Sequence, residues 1–139
     1  MRALILFFLM SFGSDAFAKI HETDICVYGR TAGGVASAVQ VAMGKTVVLL
    51  ESDKHLGGLT SGGLSATDIG NKGAFGGISR EFYQRLGKHY GTNEMWTFVP
   101  HVAECTLHQM LNELKVPIHT QQLLASVKRK AIAFAIRSH

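Results

Sequence analysis

Charge is scarce in this chain. Only 17% of its 139 residues are Asp, Glu, Lys or Arg, against 47% hydrophobic. That composition excludes a disordered polyelectrolyte and suits one globular domain with a core of its own. A surplus of one sign is also nearly missing. Lys128, Arg129, Lys130 and Arg137 near the C-terminus account for the whole net charge of +4. The rest is balanced, so no basic face for nucleic acid is indicated. No internal repeat, low-complexity tract or clear domain linker divides the chain. The apolar run Ala3 to Phe12 falls short of the roughly 20 residues that cross a bilayer.

That run has another use. "MRALILFFLMSFGSDAFA" places Arg2 ahead of the apolar stretch and ends in Ala16-Phe17-Ala18, a small-x-small cleavage signal. This is the layout of a secretory signal peptide spanning 1–18. The mature chain then starts at Lys19, outside the cytoplasm and free of the membrane. Export makes a disulfide possible, but the chain has only two cysteines, Cys26 and Cys105, and their separation in space is not legible in sequence. They are read as two separate thiols, at least one of them buried.

The remainder reads as an α/β order of elements. Asp24 to Tyr28 is a short buried strand, Gly33 to Met43 a helix of small residues ended by Gly44, and Thr46 to Leu50 a second buried strand. Strand, helix and strand within about 30 residues make one βαβ unit with a right-handed crossover and parallel strands. A long glycine-rich stretch follows. Then come helices over Arg80 to His89 and His101 to Leu114, separated by the loop "GTNEMWTFVP", and a third short strand over Val116 to Ile118. Leu123 to Val127 and Ala131 to Ile136 flank "KRK" and have the pattern of a hairpin.

The turn between the first strand and the first helix carries the chemistry. In "GRTAGG", Gly29 allows a sharp exit from the strand and Gly34 allows the helix to pack close. Thr31 holds the middle place of a G-x-G-x-x-G pattern, and Gly33 adds a second small residue beside Gly34. Unpaired backbone N–H groups and the helix dipole make this turn an anion site of the kind that receives a pyrophosphate. Glu51 ends the second strand 22 residues beyond Gly29, placed to accept hydrogen bonds from a ribose hydroxyl pair. Its charge would repel a 2′-phosphate, which disfavours NADP. Gly57-Gly58 and Gly62-Gly63 would bring backbone near a ligand longer than NAD requires.

With these residues in view, the sequence resembles the secreted bacterial FAD-dependent oxidoreductases with a glutathione-reductase-type FAD domain. The resemblance rests on "DICVYGRTAGGVASAVQVAMGKTVVLLE", on "HLGGLTSGGLSATDIGNKGAFGGISREFYQRLGKHYG", on Trp96 and on "PHVAE" at 100–104. It covers the mature chain to about Val127. It implies FAD as cofactor and a Rossmann-like FAD-binding βαβ fold with additional helices. By that resemblance Gly29, Thr31 and Gly34 lie under the pyrophosphate, with Gly33 a further cofactor-binding residue of the same turn, and Glu51 holds the adenosine ribose. Gly57 and Gly58 run beside the cofactor, and Thr60 and Ser61 approach the flavin. Enzymes of the family continue for several hundred residues. Residues 19–139 therefore resemble the N-terminal part of the FAD-binding domain, truncated before the substrate domain, as a fragment or a shortened reading frame.

Other constellations are weaker. His101, Cys105 and His108 share a helix face at i, i+4 and i+7, but a metal would need a fourth group and none is evident. Ser61, Ser65 and Ser79 show no nucleophile-elbow pattern. Asp68 fits a turn-organising role as well as a ligand-facing one, and Trp96 reads as a core or interface residue. Two functions stay open: the FAD-binding portion of a flavin oxidoreductase acting on a small molecule, and a non-catalytic product that keeps the dinucleotide-binding fold. No residue stands out as a catalytic acid or base.

Overall fold

The computed structural model describes residues 20–64 and 66–128. The signal-peptide reading, the Lys19 start and the Ala131 to Ile136 run lie outside them.

Three parallel strands form one sheet in the order β1-β2-β3, with β1 at Ile25–Tyr28, β2 at Val47–Leu50 and β3 at Ile118–His119. Ile25 lies opposite Val47 and Tyr28 opposite Leu50. Leu49 lies opposite Ile118. Helix α1 (Ala32–Ala42) makes the crossover from β1 to β2. Helices α2 (Gly77–His89) and α3 (Pro100–Glu113) fill the connection from β2 to β3. Asp24 and Thr46 lock the two strand starts together: the Thr46 N–H and hydroxyl donate to the Asp24 carboxylate, and the Asp24 N–H donates to Thr46 Oγ1.

The core lies on one face of the sheet. Val35, Ala38 and Val39 of α1 pack there with Val47 and Leu49 of β2 and with Leu107, Met110 and Leu111 of α3. The loop between α2 and α3 sends Trp96 and Phe98 into this core. Trp96 stacks on Tyr83 of α2 at 4.0 Å between ring centres, an aromatic pair worth about 0.5–1.5 kcal/mol beyond its buried area. Glycine makes that arrangement possible at Gly87, where a Cβ would stand 2.6 Å from the Thr92 carbonyl oxygen. Arg85 of α2 binds both Glu81 and, in a two-bond fork, Glu113 of α3, which fixes the angle between the helices more than it adds stability.

Several sequence expectations are corrected. Strand β1 exists, but only Val27 is half-buried; Ile25, Cys26 and Tyr28 are exposed. Its outer edge pairs with no strand among the described residues, and Cys26 and Tyr28 point away from the helices. Both cysteines are free and exposed, so neither is the buried thiol expected. Helix α1 closes with Met43 as its cap residue in a right-handed conformation, and Gly44 is not left-handed, so it does not act as a C-cap glycine. Helix α2 starts three residues earlier than Arg80, because Gly77 takes a φ of 54° that lets the chain turn directly into the helix. Leu123 to Val127 forms no strand.

Candidate functional site

The site forms where β1 and β2 end and α1 begins, the edge at which open α/β sheets bind ligands. Gly29 leaves β1 with a φ of 128°, a conformation that side chains disfavour. A Cβ on Gly34 would lie 2.3 Å from the Gly29 carbonyl oxygen. Helix α1 can approach the strand this closely only with glycine at 34. Gly33 is different: a Cβ there would meet nothing nearer than Thr31 Oγ1 at 3.7 Å, so no protein atom requires glycine.

Thr31 is the N-cap of α1. Its hydroxyl accepts the Gly34 N–H at 3.1 Å, and its carbonyl accepts the Val35 N–H at 3.0 Å. The anion cradle is therefore smaller than the full set of open amides suggested by the sequence. No acidic residue stands in the first turn of α1, so the positive end of the helix is uncompensated from within.

The second glycine turn lies directly against the first. Gly57 donates its N–H to the Arg30 carbonyl at 2.6 Å, and Thr31 and Gly57 pair as an isolated parallel bridge. Gly57 has a φ of 99°, and a Cβ on it would strike Ser61 and Leu107 at 2.5 and 2.6 Å. Gly58 has a φ of 56° and would bring a Cβ to 3.3 Å from the Thr31 Cα. Arg30 and Asp53 form an ion pair that ties the turn to the segment after β2. The Lys54 N–H and the Arg30 guanidinium hold the Asp53 carboxyl below its ordinary range.

Glu51 is buried, at 3% exposure. Its Oε1 accepts the Asp53 N–H at 2.9 Å and the Ser52 hydroxyl at 3.1 Å. Its Oε2 is buried with no hydrogen-bond partner among the described residues. An orphaned carboxylate oxygen at this depth is costly, and a ligand hydroxyl would relieve it. The open acceptor on Glu51 and the close backbone of the two glycine turns thus fit a nucleotide cofactor.

Of the two residues expected near the flavin, Thr60 ends the short 3-10 turn Gly58–Thr60 and Ser61 is its C-cap residue. Thr60 borders a small apolar cavity of about 100 Å³ behind α1 and a second of about 170 Å³ toward Thr67 and Asp68; Tyr83 lines both. The Ser61 hydroxyl donates to the Leu56 carbonyl, so it holds the loop rather than facing outward. The structure therefore brings Gly29, Thr31, Gly33 and Gly34 together with Gly57 and Gly58.

A larger groove of about 630 Å³ runs between α2 and α3, past His101 and Cys105, and contains none of these glycines. Among the described residues no group of three His, Cys, Asp or Glu side chains is arranged to hold a metal. Ser79 lies in α2 away from a nucleophile turn, and Ser65 lies outside the described residues.

Sequence reasoning missed Glu104. From α3 its carboxylate accepts the Leu56 N–H at 2.9 Å and meets His55 Nδ1 at 3.1 Å. A lone Glu in "PHVAE" gave no signal of a partner 48 residues earlier.

The model of one protein family, FAD dependent oxidoreductase, matches residues 24–138. No curated protein matches the chain.

Proposed function

The chain belongs to the FAD dependent oxidoreductase family, with FAD as cofactor, and from that premise we propose that it forms the cofactor-binding portion of an exported flavin-dependent oxidoreductase with a glutathione-reductase-type FAD domain. The observation that carries the proposal is the orphaned Oε2 of Glu51, buried where β2 ends. In this reading the ribose of the adenosine half donates to Oε2. The pyrophosphate lies at the start of α1 over Gly29, Thr31, Gly33 and Gly34, with Gly57 and Gly58 alongside. Thr60 stands toward the flavin.

When bound, FAD supplies the hydride chemistry. The residues of this chain bind and orient it. Gly29 and Gly34 let the backbone approach, α1 contributes its positive end, and Glu51 contributes an acceptor that rejects a 2′-phosphate. Export is supported by Arg2, the apolar run and Ala16-Phe17-Ala18.

The test is ligand-induced stabilisation of residues 19–139. FAD at 100 times its dissociation constant should raise stability by about 2.7 kcal/mol, while NADP should do markedly less. No shift in the unfolding midpoint with excess FAD would overturn the proposal and favour a product that keeps the fold without holding the cofactor.

A further inference from the structure

We propose that Glu104 is the positioning residue of the cofactor site: it sets the second glycine turn against the first, and among the described residues it is the one side chain of α3 that hydrogen-bonds Leu56, Gly57 or Gly58. The inference rests on the FAD-binding reading above and adds to it a residue that touches no cofactor.

The Leu56–Gly57–Gly58 segment is held from three directions. Glu104 Oε1 accepts the Leu56 N–H at 2.9 Å. The Ser61 hydroxyl donates to the Leu56 carbonyl. The Arg30 carbonyl accepts the Gly57 N–H at 2.6 Å. Leu56 itself is fully buried, at 0% exposure, so its side chain anchors the segment in the core while both its backbone polar groups are matched. An unmatched Leu56 N–H would be a buried donor without an acceptor, which the fold would relieve by letting the turn move away.

Movement there is felt at once by the first turn. Gly58 already comes so close to Thr31 that a Cβ would stand 3.3 Å from the Thr31 Cα. The bridge between Thr31 and Gly57 passes through the same backbone. Leu107, one helical turn along α3 from Glu104, packs on Gly57 so tightly that a Cβ would lie 2.6 Å from its Cδ1. Helix α3 therefore presses the turn down through Leu107 and holds its register through Glu104. What the Leu56 N–H needs is an acceptor oxygen at the reach of a Glu side chain, which a Gln carbonyl also supplies. His55 also meets this carboxylate, but its side chain is 72% exposed, and such surface pairs contribute little. The Leu56 N–H is the partner that counts.

The experiment compares the wild-type chain with E104Q, E104A, E104D and H55A. Two readouts are taken: hydrogen exchange at the Leu56 and Gly57 amides without ligand, and FAD affinity by titration. Gln keeps an acceptor at the right reach, so E104Q should stay within twofold of wild type in both. E104A should lose the protection of both amides and weaken FAD binding fivefold or more. E104D keeps the charge but is one methylene shorter, so it should behave like E104A; it carries the test if E104A does not fold. H55A should match wild type. Wild-type exchange and FAD affinity in E104A and E104D would overturn the proposal. So would an E104Q as damaged as E104A, since that would make charge, not reach, the operative property. If exchange responds as stated but FAD affinity is the same in every variant, Glu104 shapes the loop without serving the cofactor and the proposal fails. A wild-type chain with protected amides that takes up no FAD would instead overturn the FAD-binding reading, and the cofactor role of Glu104 with it.

Discussion

Substitution of Glu51 tests the proposed ribose contact. The sequence suggests two hydrogen bonds from a ribose to this carboxylate. In the structure Oε1 is already committed to the Asp53 N–H and the Ser52 hydroxyl, and only Oε2 is open. One hydrogen bond to a charged acceptor contributes about 1.5–3 kcal/mol. At about 1.4 kcal/mol per factor of ten, E51A should weaken FAD binding roughly ten- to a hundredfold. In E51Q the amide oxygen can keep the Asp53 N–H, which turns its NH₂ group toward the ribose. That leaves a neutral hydrogen bond in place of a charge-assisted one, so E51Q should fall between wild type and E51A. The assay is a fluorescence titration of FAD, run well below the lowest unfolding midpoint of the three proteins. The precaution matters because E51A also strips the Asp53 N–H of its acceptor, at a cost of up to about 1–3 kcal/mol where water does not replace it. Equal FAD affinity in all three folded proteins would refute the assignment of Glu51 to the ribose.

The two adjacent glycines of the first turn should separate by experiment. G34A must push its methyl into the Gly29 carbonyl and should cost several kcal/mol of unfolding free energy, beyond the usual 1–3 of an overpacked site (about, since backbone meets backbone), whereas G33A should fold at least as well as wild type and yet bind FAD more weakly; a destabilised G33A would show that protein packing explains this glycine. Acid should destabilise the chain. The Asp24 carboxyl is held below its ordinary range chiefly by the Thr46 N–H and that of Glu113 chiefly by Arg85, so their contributions are whole above the unfolded value near ~4 and are lost as pH falls through the lowered folded values. Thermal melts should show the midpoint falling below about pH 4, less so in D24N, and a midpoint independent of acid would contradict this. N-terminal sequencing of protein from an exporting host should read Lys19 first; a cytoplasmic chain beginning at Met1 would exclude export.

The parts of the candidate site whose geometry was legible in sequence are those where the backbone restricts residue type. Gly29 and Gly34 stand out because one takes a left-handed-side φ and the other admits a carbonyl where a Cβ would be. Glu51 stands out because a βαβ unit has a nearly fixed length, which places an acid at the end of β2. What the sequence concealed depends on meetings between distant residues. Arg30 with Asp53, Arg85 with Glu113 and Glu104 with Leu56 are separated by 23, 28 and 48 residues, and no local period links them. The exposure of β1 was hidden for a related reason. "ICVY" has the apolar character of a strand covered on both sides, but whether a second layer covers Cys26 and Tyr28 is a property of tertiary packing that a four-residue run does not encode.

Thr31 shows how a departure from the glycine pattern can be resolved by local chemistry. Read as a substitute for glycine, it is merely small enough. In the structure it does something glycine cannot: its hydroxyl satisfies the Gly34 N–H and fixes the start of α1, a cap worth typically about 1 kcal/mol over alanine. The same bond withdraws one amide from any anion bound at the turn. In the proposed reading a pyrophosphate there would need other donors or charges, and the neighbourhood offers candidates. Arg30 sits in the turn, its guanidinium paired with Asp53 but still partly exposed, and Gly57 and Gly58 bring a second length of backbone against Thr31. On that reading, a helix begun by threonine would rely on the second turn more heavily than one begun by glycine. In the proposed reading, the position of that turn, and whatever in α3 fixes it, would belong to the cofactor site.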